Sequence, residues 1–122
     1  MRIHGPVEML SGIIEKYDPM HLRRIYSELK AQGGHYDIIK IQTLNINDIL
    51  KNHNISSIDF LSLDTEGGEL EILKSIDFEK YSIKVISVEN NYNDKNFEKF
   101  LSSKGYKKVK TLCCDEVYLK KE

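Results

Sequence analysis

Cysteine is scarce in this chain, and its two copies, Cys113 and Cys114, are neighbours. Adjacent residues do not easily reach ordinary disulfide geometry, and the spacing is not that of a zinc site. The pair therefore reads as two small residues in a turn or strand. Long hydrophobic runs are missing too. None approaches the ~20 residues that a membrane span needs, and Met1–Leu10 lacks the basic-then-apolar layout of a signal peptide. The cytoplasm is the expected location. Charge of one sign is also absent, with 18 Lys and Arg against 19 Asp and Glu. No global field favours nucleic acid or an acidic membrane, and the lysines near the carboxyl end read as a solvated face. No G-x-G-x-x-G, Walker lysine loop or G-x-S-x-G occurs, so no recognisable phosphate or dinucleotide cradle is offered. The four histidines are scattered, and no pair has the helical spacing of a zinc motif. No metal site is expected from them. His21 stands out because Arg23 and Arg24 lie beside it.

What is present is the material of one small domain over residues 1–122. Met1–Tyr17 has no firm period. Asp18-Pro19 predicts a helix start, and Leu22, Ile25, Tyr26 and Leu29 form one apolar stripe that ends at Gly33-Gly34. Tyr36–Thr43 reads as a strand, and Asn45 as the cap of a short helix with Ile46, Ile49 and Leu50 on one face. Strands follow at Ile58–Leu63 and Ile83–Val88, with a helix at Glu69–Ile76 between them. A helix marked by Phe97, Phe100 and Leu101 closes at Gly105, and two strands, Tyr106–Leu112 and Glu116–Leu119, finish the chain. Alternating strands and helices predict an α/β fold: a mostly parallel, doubly wound sheet with a carboxyl-terminal antiparallel edge hairpin. The strands at Ile58 and Ile83 are expected at its centre, because both faces are apolar.

The richest stretch is Ile58-Asp59-Phe60-Leu61-Ser62-Leu63-Asp64-Thr65-Glu66-Gly67-Gly68-Glu69-Leu70. It predicts strand, turn, helix, with Asp64 and Glu66 at the carboxyl end of a strand, where α/β proteins keep their ligand sites. Glu89 ends the next strand. If the two strands are neighbours, Asp64 and Glu89 share a rim, where carboxylates can orient a hydroxyl or amine, act as general base or hold a divalent cation. The alternative for Asp64 is a cap, and for Glu89 a lysine pair. Glu69 suits the first turn of a helix, and the glycine pair suits a tight turn with positive φ. Asn90 and Asn91 open a polar loop that can wall a ligand or simply make a turn.

Leu44-Asn45-Ile46-Asn47-Asp48-Ile49-Leu50, the stretch above, and Val85-Ile86-Ser87-Val88-Glu89-Asn90-Asn91 together resemble the carboxyl-terminal half of FkbM-type methyltransferases. That family commonly shows a short helix of L-D-x-L-L character, a strand ending in D-x-E-G-x-E and a strand ending in V-E. Leu10-Ser11-Gly12 and Tyr17-Asp18-Pro19 look like a linking region of one branch. The resemblance implies S-adenosylmethionine as cofactor, methyl transfer to oxygen, and a small-molecule or glycan acceptor. It implies Asp64 near the transferred methyl, with Glu66 and Glu89 beside it as catalytic acids; Asn90, Asn91 and Glu69 are the candidates toward the substrate by their place next to these strand ends. It assigns no cofactor-binding residue and no metal. The family's first strand, glycine-rich loop and ribose-binding acid precede the region matched here. The expectation is therefore a partial or truncated methyltransferase, inactive as an isolated chain, whose missing strands leave an edge for a homodimer or another chain to complete. The alternatives are a non-catalytic α/β interaction module and a metal-dependent exonuclease-like domain.

Overall fold

The computed structural model describes residues 1–122. The chain divides into two units, Met1–Thr43 with Thr65–Gly68, and Leu44–Asp64 with Glu69–Glu122. No helix is long and apolar enough to cross a membrane.

In the amino-terminal unit a short strand β1 (Arg2–His4) leads through single turns at Glu8–Leu10 and Ile14–Lys16 to helix α1 (Pro19–Gln32). Asp18 caps α1 by accepting the Met20 N–H at 2.7 Å, and proline opens it, as the sequence predicts. Ile25 is fully buried with Ile3, Val7, Leu10 and Tyr17, and Leu22 and Leu29 pack against them. Tyr26, assigned to the same stripe, is 49% exposed and meets Tyr36 edge-on instead.

After α1 comes strand β2 (His35–Asp37), antiparallel to β1. The strand expected over Tyr36–Thr43 is thus three residues long and lies outside the larger sheet; Ile38, Ile39 and Ile41 are exposed. The close approach of β1 depends on Gly34. Its φ is +125°, and a Cβ there would stand 2.5 Å from the His4 carbonyl oxygen.

The second unit holds α2 (Ile46–Asn52), β3 (Ser57–Leu63), α3 (Glu69–Ser75), β4 (Ser82–Glu89), α4 (Lys95–Ser103), β5 (Tyr106–Leu112) and β6 (Asp115–Lys120). Asn45 caps α2 and Asp94 caps α4. The sheet order is β3-β4-β6-β5. β3 and β4 are parallel, while β4–β6 and β5–β6 are antiparallel. The expected mostly parallel, doubly wound sheet is therefore corrected to a mixed sheet with one parallel pairing. The hairpin expected at the edge is present, but its second strand inserts beside β4. Cys113-Cys114 is its two-residue loop, with positive φ at Cys113, and so short a loop forces antiparallel strands.

One face of this sheet is buried. Leu63 pairs with Val88, and Leu61, Ile86 and Tyr118 lie in one row. Leu73, Ile83, Phe97, Leu101 and Tyr106 complete the core, and the Tyr106 hydroxyl donates to the Ile83 carbonyl at 2.7 Å. The opposite face, running from Phe60 through Val85 to Leu119, is half-buried to exposed. β3 is an edge strand and not a central one, and Phe60 on it is 60% exposed. Apolar residues on both faces of a strand look the same in sequence whether neighbours cover them or not.

Replacing Gly34 by alanine is expected to lower stability by about 2–4 kcal/mol, combining positive-φ strain with the collision at His4. Gly33→Ala, where a Cβ would meet nothing within 4 Å, carries the strain alone and loses less. Urea denaturation of both variants decides, and equal losses would rule out the collision.

Candidate functional site

The parallel register of β3 and β4 runs from Ser57↔Ser82 to Leu63↔Val88. The next residue on each chain is acidic, so Asp64 and Glu89 emerge side by side at the carboxyl ends. Their carboxylate oxygens come within 4.8 Å of each other. Asp64 is exposed and Glu89 half-buried. Across the antiparallel pairing, Glu89 faces Asp115. Burial pushes the Glu89 carboxyl above the usual range. The Asn91 side chain, hydrogen-bonded to it, pulls back, while Asp64, Glu69 and Asp115 push further up. Glu89 therefore holds its proton more tightly than an ordinary glutamate.

The remaining expected residues divide between this rim and other duties. Asn91 is exposed and bonds to Glu89. Asn90 is buried and ties the loop: its Oδ1 accepts the Asp94 N–H at 2.7 Å, and its Nδ2 donates to the Asp94 carbonyl at 3.1 Å. Glu69 is buried in the first turn of α3 and adds negative field at Glu89. Glu66 belongs to the segment Thr65–Gly68 of the amino-terminal unit, at φ +57°. Its Oε2 lies 3.2 Å from the Nε2 of buried His21. Tyr17 stacks on the His21 ring at 5.0 Å, and burial, with the Glu66 charge, pushes its hydroxyl up to about 12. Gly67, at φ +124°, has a physical reason to be glycine: a Cβ would stand 2.4 Å from the Lys16 carbonyl oxygen.

Two groupings escaped the sequence. Glu116 is buried on β6, accepts the Tyr118 hydroxyl and lies 3.2 Å from Lys108 Nζ. Burial raises its carboxyl, but the Tyr118 and Lys108 bonds outweigh this and hold it below the usual range. The alternation of the strand could have flagged it, since it shares a face with buried Tyr118. The other grouping joins His4, His35 and Asp37 across β1 and β2. Their separation in sequence gives no signal without the strand register.

Because the folded state holds the Glu89 proton more tightly than the unfolded chain, stability falls as pH rises from the ordinary carboxylate range through the raised value. Glu89→Gln is expected to melt at or above the temperature of the parent at pH 7, with the advantage shrinking toward pH 4. Asp64→Asn should also remain folded. Thermal melts across this pH range test both; a large loss in either variant would make that carboxylate a structural partner.

The profile of the methyltransferase FkbM domain matches residues 5–111. Comparison with curated proteins and with solved structures returns no match. A match over most of the chain, spanning the acid-ended parallel pair β3 and β4, shows that this chain belongs to the FkbM methyltransferase domain family.

Proposed function

We propose that the chain supplies the acceptor-side acids of an S-adenosylmethionine-dependent O-methyltransferase, acting on a small-molecule or glycan hydroxyl. The observation that carries this reading is the adjacency of Asp64 and Glu89 at the carboxyl ends of two parallel strands in a chain of this family. Asp64, exposed, orients the acceptor hydroxyl. Glu89, with its raised proton affinity, accepts the hydroxyl proton at a carboxylate oxygen. Asn91 holds the Glu89 carboxylate in place. Positioning of this kind accounts for much of the rate of a bimolecular transfer.

S-adenosylmethionine, when bound, supplies the methyl group from a cationic sulfonium. The residues fit that centre in charge, because the acids of the rim favour a cation. They do not fit the rest of the cofactor. The sequence has no glycine-rich cradle, and the space beside Gly67 is filled by the Lys16 carbonyl. The cofactor-binding half is therefore proposed to come from residues other than those described. An exonuclease-like reading is not favoured, since α3, and not a strand, follows the glycine pair.

A second reading, a non-catalytic interaction module, draws on the open edge of β3. The other edge, β5, is guarded by Lys107, Lys108 and Lys110 and interrupted by a bulge. β3 instead presents Phe60. On this reading two copies pair along β3 as a two-fold dimer, with the cytoplasm as setting. Light scattering at micromolar concentration should give a dimer mass that Phe60→Lys reduces to a monomer; a monomeric parent would rule the pairing out.

Calorimetric titration of the purified chain with S-adenosylmethionine is expected to show weak binding or none. Low-micromolar affinity would overturn the proposal that the cofactor half lies elsewhere. The activity is tested by labelled-methyl incorporation into glycans and small molecules of cells expressing the chain. In cells where the parent chain raises incorporation above background, Glu89→Gln should lower it by about 10²–10⁴-fold, and equal incorporation with parent and variant there would refute the assignment of Glu89.

A further inference from the structure

The pairing of β1 with β2 places His4 directly opposite His35, and Arg2 opposite Asp37. Strand alternation puts His35 and Asp37 on one face of β2, so His4 faces one across the ladder and the other on the diagonal. The two imidazoles stack at 4.7 Å between centroids, 10° from parallel. His4 Nε2 lies 3.1 Å from Asp37 Oδ2. One ligand atom from each of the three residues falls within 4.8 Å of the others. Gly34 makes the approach possible, because any side chain there would collide with the His4 carbonyl.

We propose that His4, His35 and Asp37 form a binding site for a borderline divalent transition cation such as Zn²⁺, Ni²⁺ or Co²⁺. The donor set decides the class. Two neutral imidazoles and one carboxylate suit these ions, whereas Mg²⁺ and Ca²⁺ take oxygen ligands. The donor atoms are within reach of one ion, but the two imidazoles must leave their parallel stack to share it, because each lone pair lies in the plane of its own ring. Metal–ligand bonds of about 2.1 Å put neighbouring ligand atoms roughly 3.4 Å apart in a tetrahedral site. The His4–Asp37 pair already meets that spacing at 3.1 Å. The remaining closure is a rotation of side chains at a half-exposed to exposed site, with His4 33% and Asp37 60% exposed.

Imidazole stacking and one histidine–carboxylate hydrogen bond account for the three residues two at a time, as ordinary surface pairing. They do not explain why all three donor atoms converge. A bound cation would replace the His4–Asp37 hydrogen bond, with the single proton of each neutral ring on the nitrogen that does not face the ion, and leave at least one coordination position open to water. It would also tie β1 to β2, so binding should raise the melting temperature. The acids Asp64 and Glu89 are competing donors of the oxygen kind. His21 is buried against Glu66, and the Cys113 and Cys114 sulfurs lie 3.4 Å apart in the hairpin loop.

The test is calorimetric titration of tag-free protein with Zn²⁺ and with Ni²⁺, together with thermal melts. One ion per chain at micromolar affinity, and a raised melting temperature that Mg²⁺ does not reproduce, are expected. His4→Ala and His35→Gln should each weaken binding more than about tenfold, Asp37→Asn less, and the double replacement Cys113→Ser, Cys114→Ser should leave it unchanged. The histidine variants are checked for folding by circular dichroism. Co²⁺ absorption supplies a readout independent of stability. Visible bands without a thiolate charge-transfer band support the histidine site; a thiolate band assigns the ion to the cysteines and overturns it. Affinity that survives both histidine replacements, or no binding at all, also overturns it.

Discussion

The parallel pairing of β3 with β4 is the constraint on which the candidate site depends. Parallel strands end on the same side of a sheet, so whatever residues follow Leu63 and Val88 must meet there. Here those residues are Asp64 and Glu89. A shift of one residue would send one of the two side chains to the other face of the sheet. The buried row of Leu63, Val88 and Glu116 resists that shift, because it would place apolar groups in water and an acid elsewhere. Core packing therefore fixes the spacing of the acids without any direct contact holding them together.

The rim also shows how acids are kept near one another at a cost. Asp64, Glu69, Asp115 and Glu89 all contribute negative field at one place, and Glu89 is the member that burial and its neighbours shift upward. Like charges facing across strands are ordinarily unfavourable. The same unit offsets this with its apolar core, where two tyrosines, Tyr106 and Tyr118, lie fully buried among aliphatic and phenylalanine side chains. A carboxyl with raised proton affinity at a strand end is a feature that functional sites share with structural ion networks. Glu66, two residues beyond Asp64, pairs with buried His21 within the amino-terminal unit.

Sequence reasoning was strong where the determinants are local. Asp18 and Asn45 cap their helices because a short polar side chain reaches an N–H two residues on. The acid after each of two apolar runs identified the rim residues. It was weak wherever long-range pairing decided. Phe60 reads as core and lies on an edge, and Tyr36–Thr43 reads as a strand but pairs over only three residues. The position of β6 between β4 and β5 follows from which strand edge was available, and no local pattern records that.

The sequence by itself determined the four helices and strands β3 to β6, the caps at Asp18 and Asn45, the glycine turn after Asp64 and the presence of acids at two strand ends. Period, capping chemistry and turn strain act over a few residues, so they can be read along the chain. Only the tertiary structure decided that β3 and β4 are neighbours, that most of the sheet is antiparallel, that Glu66 faces His21, and that His4 meets His35 and Asp37. Each of these is a pairing between residues far apart in sequence. Such pairings are settled by burial and strand register across the whole unit, to which no single segment holds the key.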